Sequence, residues 1–244
     1  MKHTQIYPKP FFEIQLLFAQ KIAQLSSQLL QDAILHYTAL YRIFGLSWSF
    51  DPTDSIWQAY LQGLLPDGTN TDWTYQFYLS RYDNIPKFTD FPHWGCFSYD
   101  YAADTCTIHI HFSNQDTSEY GALSRHRMGI RIAELRTMFT HIKQIYPDAA
   151  LVRGGSWLYN RESYKRLFPP AFGQSAHIVQ PNFQARSHWG QFLRHDWRVN
   201  EETKSQFLQR LNQLKDVQQC AAYFPYPTLR TEAPISAFYD FYEI

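Results

Sequence analysis

The stretch Thr105-Cys106-Thr107-Ile108-His109-Ile110-His111-Phe112-Ser113 alternates without a break. A period of two is that of a β-strand, whose successive side chains point to opposite faces. Thr105, Thr107, His109, His111 and Ser113 share one face; Cys106, Ile108, Ile110 and Phe112 share the other. Upstream, a second β-rich run begins near Trp94, and the two runs flank 100–104 as the arms of a hairpin would. Downstream the period changes. Ser124 is placed to cap a helix whose Met128, Ile132, Leu135, Phe139, Ile142 and Tyr146 recur at intervals of three and four until Pro147-Asp148 stops it. A short buried strand over 149–152, a short helix over 161–168 ended by Pro169-Pro170, and a strand over 176–179 complete a strand, helix, strand, helix, strand succession.

Working outward from this unit, the N-terminal third reads as helical. Ile14, Leu17, Ile22, Leu25, Leu29, Ala33 and Leu40 keep helical spacing over 11–44, as one long helix or two abutting ones. Gly45 is a natural stop, Thr53 or Asp54 caps a helix over 55–65, and Pro66-Asp67-Gly68 ends it. The aromatic segment 72–82 predicts a third helix, and the two prolines of 83–92 mark a boundary. Near the C-terminus, Asn200 caps a helix opened by Glu201 and Glu202, with Phe207, Leu208, Leu211 and Leu214 on one side. The Pro- and Tyr-rich tail over 223–244 reads as irregular. The expected fold is α+β: a helical part over 1–85 packed as one body with a mixed-sheet part over 93–244 that is extended by the C-terminal helix.

Composition narrows the class. The 244 residues are 45% hydrophobic and 18% charged, with 17 Tyr, 19 Phe and 7 Trp, which is a folding composition rather than a disordered one. Lys plus Arg and Asp plus Glu are both 22, so no global field draws the chain to nucleic acid or to an anionic membrane. No apolar run reaches the length of a membrane span, and the start has no signal-peptide pattern. Cys96, Cys106 and Cys220 form neither a disulfide framework nor a metal knuckle, so the expected setting is the cytoplasm.

Three features carry chemistry. His109 and His111 point the same way, and such a pair serves as a general base, holds a metal with a third ligand, or decorates a solvated face. Arg125, His126, Arg127 and Arg131 put cations at a helix start, where the helix dipole disfavours them. Either an anion resolves that conflict or Glu134 pairs with Arg131 or Arg127. Arg153-Gly154-Gly155-Ser156-Trp157 follows a buried strand as a tight turn or a close approach to ligand, with Tyr159, Asn160 and Tyr164 supplying polar groups beside it. No nucleophile motif is present: Ser156 lacks the GxSxG elbow.

The order hairpin, basic-started helix, strand, short helix, strand over 94–179 resembles the core of GNAT-type N-acyltransferases. That resemblance implies that the strand of 106–112 splays from the strand of 149–152 and that acyl-CoA enters the gap with its pyrophosphate on the helix start. It places Arg125, Arg127, Gly129 and Arg131 against acyl-CoA as co-substrate. His109 or His111 would be the base toward an amine, and Tyr159 or Tyr164 the acid toward the leaving thiolate, with Ser156, Trp157 and Asn160 near the small-molecule acceptor. The family's pyrophosphate signature departs here: His126 stands where Arg or Gln is expected, three residues before Gly129, and Arg131 takes its last place. The leading expectation is therefore an acyl-CoA-dependent N-acyltransferase without a resident metal. The alternatives are a non-catalytic binding or assembly protein, such as a homodimer, and a metal-dependent hydrolase built on His109 and His111.

Overall fold

A computed structural model describes residues 6–47, 49–66, 70–85, 92–116 and 118–244. In chain order, helices α1 (Lys9–Ser26), α2 (Leu30–Tyr37), α3 (Leu40–Ile43), α4 (Ser55–Gln62) and α5 (Thr71–Arg81) come before the strands β1 (Phe97–Ala102) and β2 (Thr107–Phe112). Next come α6 (Met128–Ile145), β3 (Leu151–Ser156), α7 (Glu162–Lys165), α8 (Pro170–Gln174) and β4 (His177–Val179). The chain then runs through α9 (Arg186–Trp189), α10 (Glu201–Leu211), β5 (Thr228–Pro234) and α11 (Ile235–Tyr242). This is an α+β protein. The expected boundary at 83–92 and the Pro66-Asp67-Gly68 stop fall largely outside the described residues.

The chain divides into two units, 1–87 with 181–225, and 88–180 with 226–244. α10 thus belongs to the helical unit, whereas the sequence suggested that it extends the sheet. Its buried Phe207 and Leu211 explain the placement, because Phe207 meets Phe18 of α1 and Phe224 in that unit's core. α1 buries Phe11, Phe12, Ile14, Leu16, Phe18, Ala19 and Ile22 and is the axis of this core. The long N-terminal helix breaks at Ser27, whose left-handed φ of 56° ends α1 before α2 begins. Asp54 caps α4 as read, its Oδ1 accepting the N–H groups of Ile56 and Trp57 at 2.8 and 3.2 Å.

The other unit is built on a five-stranded mixed sheet in the order β1-β2-β3-β5-β4. β2 and β3 run parallel, joined by the α6 crossover, and the remaining pairs are antiparallel. One sheet face buries Phe97, Tyr99, Ile108, Ile110, Val152 and Ala233 with Leu135, Phe139 and Ile142 of α6 and Phe238 and Tyr242 of α11. Phe139 stacks on Phe238 with centroids 4.7 Å apart and on Tyr242 at 5.4 Å.

The tail expected to be irregular forms α11 and, before it, β5. Its small Thr231 and Ala233 face the core and its Arg230 and Glu232 face away, so it alternates with little hydrophobicity to betray it. Two boundaries also moved, and both bear on the site. β1 continues through Asp100 to Ala102, so Asp100 belongs to a strand rather than to the hairpin loop. β3 continues through Gly154, Gly155 and Ser156, so the two glycines are strand residues and not a tight turn.

Candidate functional site

β2 and β3 begin side by side and then part. Their pairing covers Thr107↔Leu151, Ile108↔Val152 and His109↔Arg153 and stops there. Beyond that point β2 stays bonded to β1 through Ile110, His111 and Phe112, while β3 stays bonded to β5 through Gly154, Gly155 and Ser156. Each strand is held by its outer neighbour, so the sheet is slit along its middle over the carboxyl halves of the parallel pair. The carboxyl ends of parallel strands, where a crossover helix starts, are where open α/β sheets receive ligands.

The two histidines lie on the sheet face turned away from α6, beside this slit. His109 stands opposite Asp100 of β1 and opposite Arg153 of β3; His111 stands opposite Ser98. His109 Nδ1 lies 2.8 Å from Asp100 Oδ1 and His111 Nε2 lies 2.6 Å from Asp100 Oδ2. The side chains are 34%, 55% and 43% exposed for His109, His111 and Asp100. Next along the same row, Arg153 donates from Nε and Nη2 to Glu232 Oε2 at 3.1 and 3.0 Å. The two imidazoles aim at different oxygens of one carboxylate rather than at one shared point. Among the described residues no group of three or more His, Cys, Asp and Glu is arranged to hold a metal ion.

The basic helix start is organised differently from the sequence expectation. Arg125–Arg127 form a 3-10 turn ahead of α6, and the Ser124 hydroxyl, expected to cap, has no hydrogen-bond partner among the described residues. Met128 is exposed, and Arg131, only 3% exposed, takes the inward position instead. Its charge is met twice: Arg131 Nη2 lies 2.8 Å from Glu134 Oε1 and 3.3 Å from Asp116 Oδ2. Arg127 Nε donates to the same Asp116 oxygen at 2.6 Å. Burial alone would raise the Asp116 carboxyl, but the Ser118 hydrogen bonds and Arg127 outweigh it and hold it down to about 2.

Glu134 also accepts the Cys96 N–H at 3.1 Å, and Arg131 Nη1 touches the Cys96 sulfur. Gly95 takes a φ of +58° there, where any Cβ would fall on the Glu134 carboxylate. These residues and Gln115 line a cleft of about 190 Å³. Burial pushes the Cys96 thiol up, so it is no ready nucleophile. Arg127 and Arg131 are thus neutralised inside the protein, and the pairing with Glu134 seen in sequence is the one realised. Arg125 and Gly129 remain exposed at the helix start.

The third group of residues mostly serves the turn that follows β3. The Ser156 hydroxyl accepts the Leu158 N–H at 3.1 Å, and Asn160 Nδ2 donates to the carbonyls of Trp157 and Pro227 at 2.7 and 2.9 Å. Trp157 stacks on Tyr226 at 5.7 Å. Tyr159 and Tyr164 are each 2% exposed and pack with Phe168; Tyr159 also meets Phe172, and Tyr164 meets Phe112. Burial drives both phenols well above their ordinary range. These two hydroxyls are core groups beneath the slit, away from solvent, which runs against the acid role the resemblance implied.

The fold therefore brings His109 and His111 to one side of the slit and the start of α6 to the other face of the sheet. It adds Asp100, a β1 residue rather than a member of the hairpin loop that the sequence predicts there. Compared with known proteins, the chain matches no family model, no curated protein and no solved structure. Among the described residues no helix is long and apolar enough to cross a membrane.

Proposed function

We propose that the chain is an acyl-CoA-dependent N-acyltransferase acting on an amine. The observation that carries this reading is the parting of β2 and β3 after His109↔Arg153, with a histidine pair on one face of the sheet and the α6 start on the other. The order β1-β2 hairpin, α6, β3, short helices, β4 also supports the GNAT-type resemblance. In this reading Arg125 and Gly129 at the helix start would meet the pyrophosphate, and the histidines would face the amine. Arg127 and Arg131 drop out of this scheme because Asp116 and Glu134 already hold them.

In the reaction the amine nitrogen attacks the thioester carbonyl, the N–C bond forms, the C–S bond breaks and the thiolate leaves. A neutral imidazole takes the proton the nitrogen sheds, a contribution worth about 10²–10⁴ in rate. Calorimetry with acetyl-CoA tests binding, and thiol release with a panel of amines tests turnover. Saturable heat at up to about 1 mM ligand is the expected result, that Kd limit corresponding to about −4 kcal/mol. Absence of both heat and thiol release at that concentration refutes the proposal.

A second reading, a non-catalytic assembly protein, draws on β4, an edge strand whose Ile178 is 72% exposed. A strictly monomeric protein in solution would count against it.

A further inference from the structure

The geometry points to Asp100 as a positioning residue that selects His109, not His111, as the base of the proposed acyl transfer; this inference rests on the acyltransferase reading. An ionised carboxylate only accepts hydrogen bonds, so each ring nitrogen facing it must carry the proton. His109 meets Asp100 through Nδ1 and His111 meets it through Nε2. The consequence is a different tautomer for each ring.

His109 is thereby held as the Nδ1–H form, with its lone pair on Nε2, the nitrogen farthest from its own backbone. His111 is held as the Nε2–H form, and its only lone pair is on Nδ1, next to its own main chain. A base must reach its proton within hydrogen-bond distance, and of the two only His109 offers a distal lone pair for that purpose. When His109 accepts a proton at Nε2, the imidazolium stays bonded to a carboxylate that is already in place. A carboxylate behind Nδ1 that fixes the tautomer and steadies the charged ring is the role of the third group in a catalytic triad.

Strand register makes the arrangement. Asp100 sits directly opposite His109, and His111 follows two residues on along the same face of β2, within diagonal reach of the same carboxylate. His109 is also the last β2 residue paired with β3, so the residue that carries this lone pair stands where the slit opens.

The test is long-range ¹H–¹⁵N correlation of the imidazoles in the 244-residue chain, with H109Q and H111Q assigning the signals. Wild type should show His109 as Nδ1–H and His111 as Nε2–H, and D100N, which turns one of the two acceptor oxygens into a donor NH2, should abolish that preference in at least one ring. Reversed or evenly mixed tautomers in wild type, or tautomers that D100N leaves untouched, would overturn the inference. None of this requires an acyl donor, so it is decided even where acetyl-CoA fails to bind. Where acetyl-CoA does bind, H109Q should lower turnover by about 10²–10⁴ with the binding heat retained, and D100N should add nothing to H109Q. A larger loss in H111Q than in H109Q would also overturn it.

Discussion

His188 is 5% exposed in the helical unit, with ring centroids 4.4 Å from Phe224, 5.5 Å from Phe183 and 6.1 Å from Trp189. Burial among these rings lowers its pKa from 6.5 to about 3, because the imidazolium loses its hydration there. The unfolded chain therefore takes up a proton that the folded chain refuses. This contribution to stability is intact above the unfolded value of 6.5 and is lost as pH falls from there toward 3. The slope is about 1.4 kcal/mol per pH unit, so acidification from about pH 8 to about pH 5 costs about 2 kcal/mol through this one residue. His188→Phe keeps a ring in the site and removes the titration. Urea unfolding followed by circular dichroism at both pH values should show a loss about 2 kcal/mol smaller in the variant than in wild type. Equal losses in the two proteins would refute the assignment, since every other titrating group is common to both.

Three further substitutions probe the sheet unit. Arg131→Met leaves Asp116 and Glu134 facing each other with one of their two cations gone, and should cost about 3–5 kcal/mol, read as a shift in urea midpoint. A cost below about 1 kcal/mol would mean that the network contributes little. Gly154→Ala would place its methyl group on the Tyr159 hydroxyl and should cost about 1–3 kcal/mol, whereas Gly155→Ala, with open space at its Cβ, should stay within about 0.5 kcal/mol in the same urea unfolding.

The elements that the sequence revealed are those whose hydrophobicity has a strong period. β2, α6 and α1 each bury one face and expose another, and each was legible. β5 was not, since Thr231 and Ala233 bury little apolar surface and the flanking Pro227 and Pro234 read as turn residues. The seam of α6 was legible except at its first turn, where Arg131 rather than Met128 faces inward. An arginine takes a buried position when carboxylates wait for it, and one of those, Asp116, comes from a loop whose path no periodicity encodes.

The histidines are legible in the sequence and their partner is not, for a related physical cause. Composition identifies His109 and His111, but what they can do is set by the residue across the strand, and that depends on register. Placing the hairpin loop at 100–104 hid Asp100, although Phe97, Tyr99 and Tyr101 already alternate with Ser98 and Asp100 and so carry β1 to its observed end. Extending β1 by that alternation brings Asp100 opposite His109, and two hydrogen bonds then fix two tautomers. The slit has a similar origin. It exists because β1 and β5 keep hold of the strands on either side of it, and β5 was the strand the sequence concealed. In this protein the chemistry-bearing side chains are written in the residues, while their partners and the opening beside them are written in how strands pair.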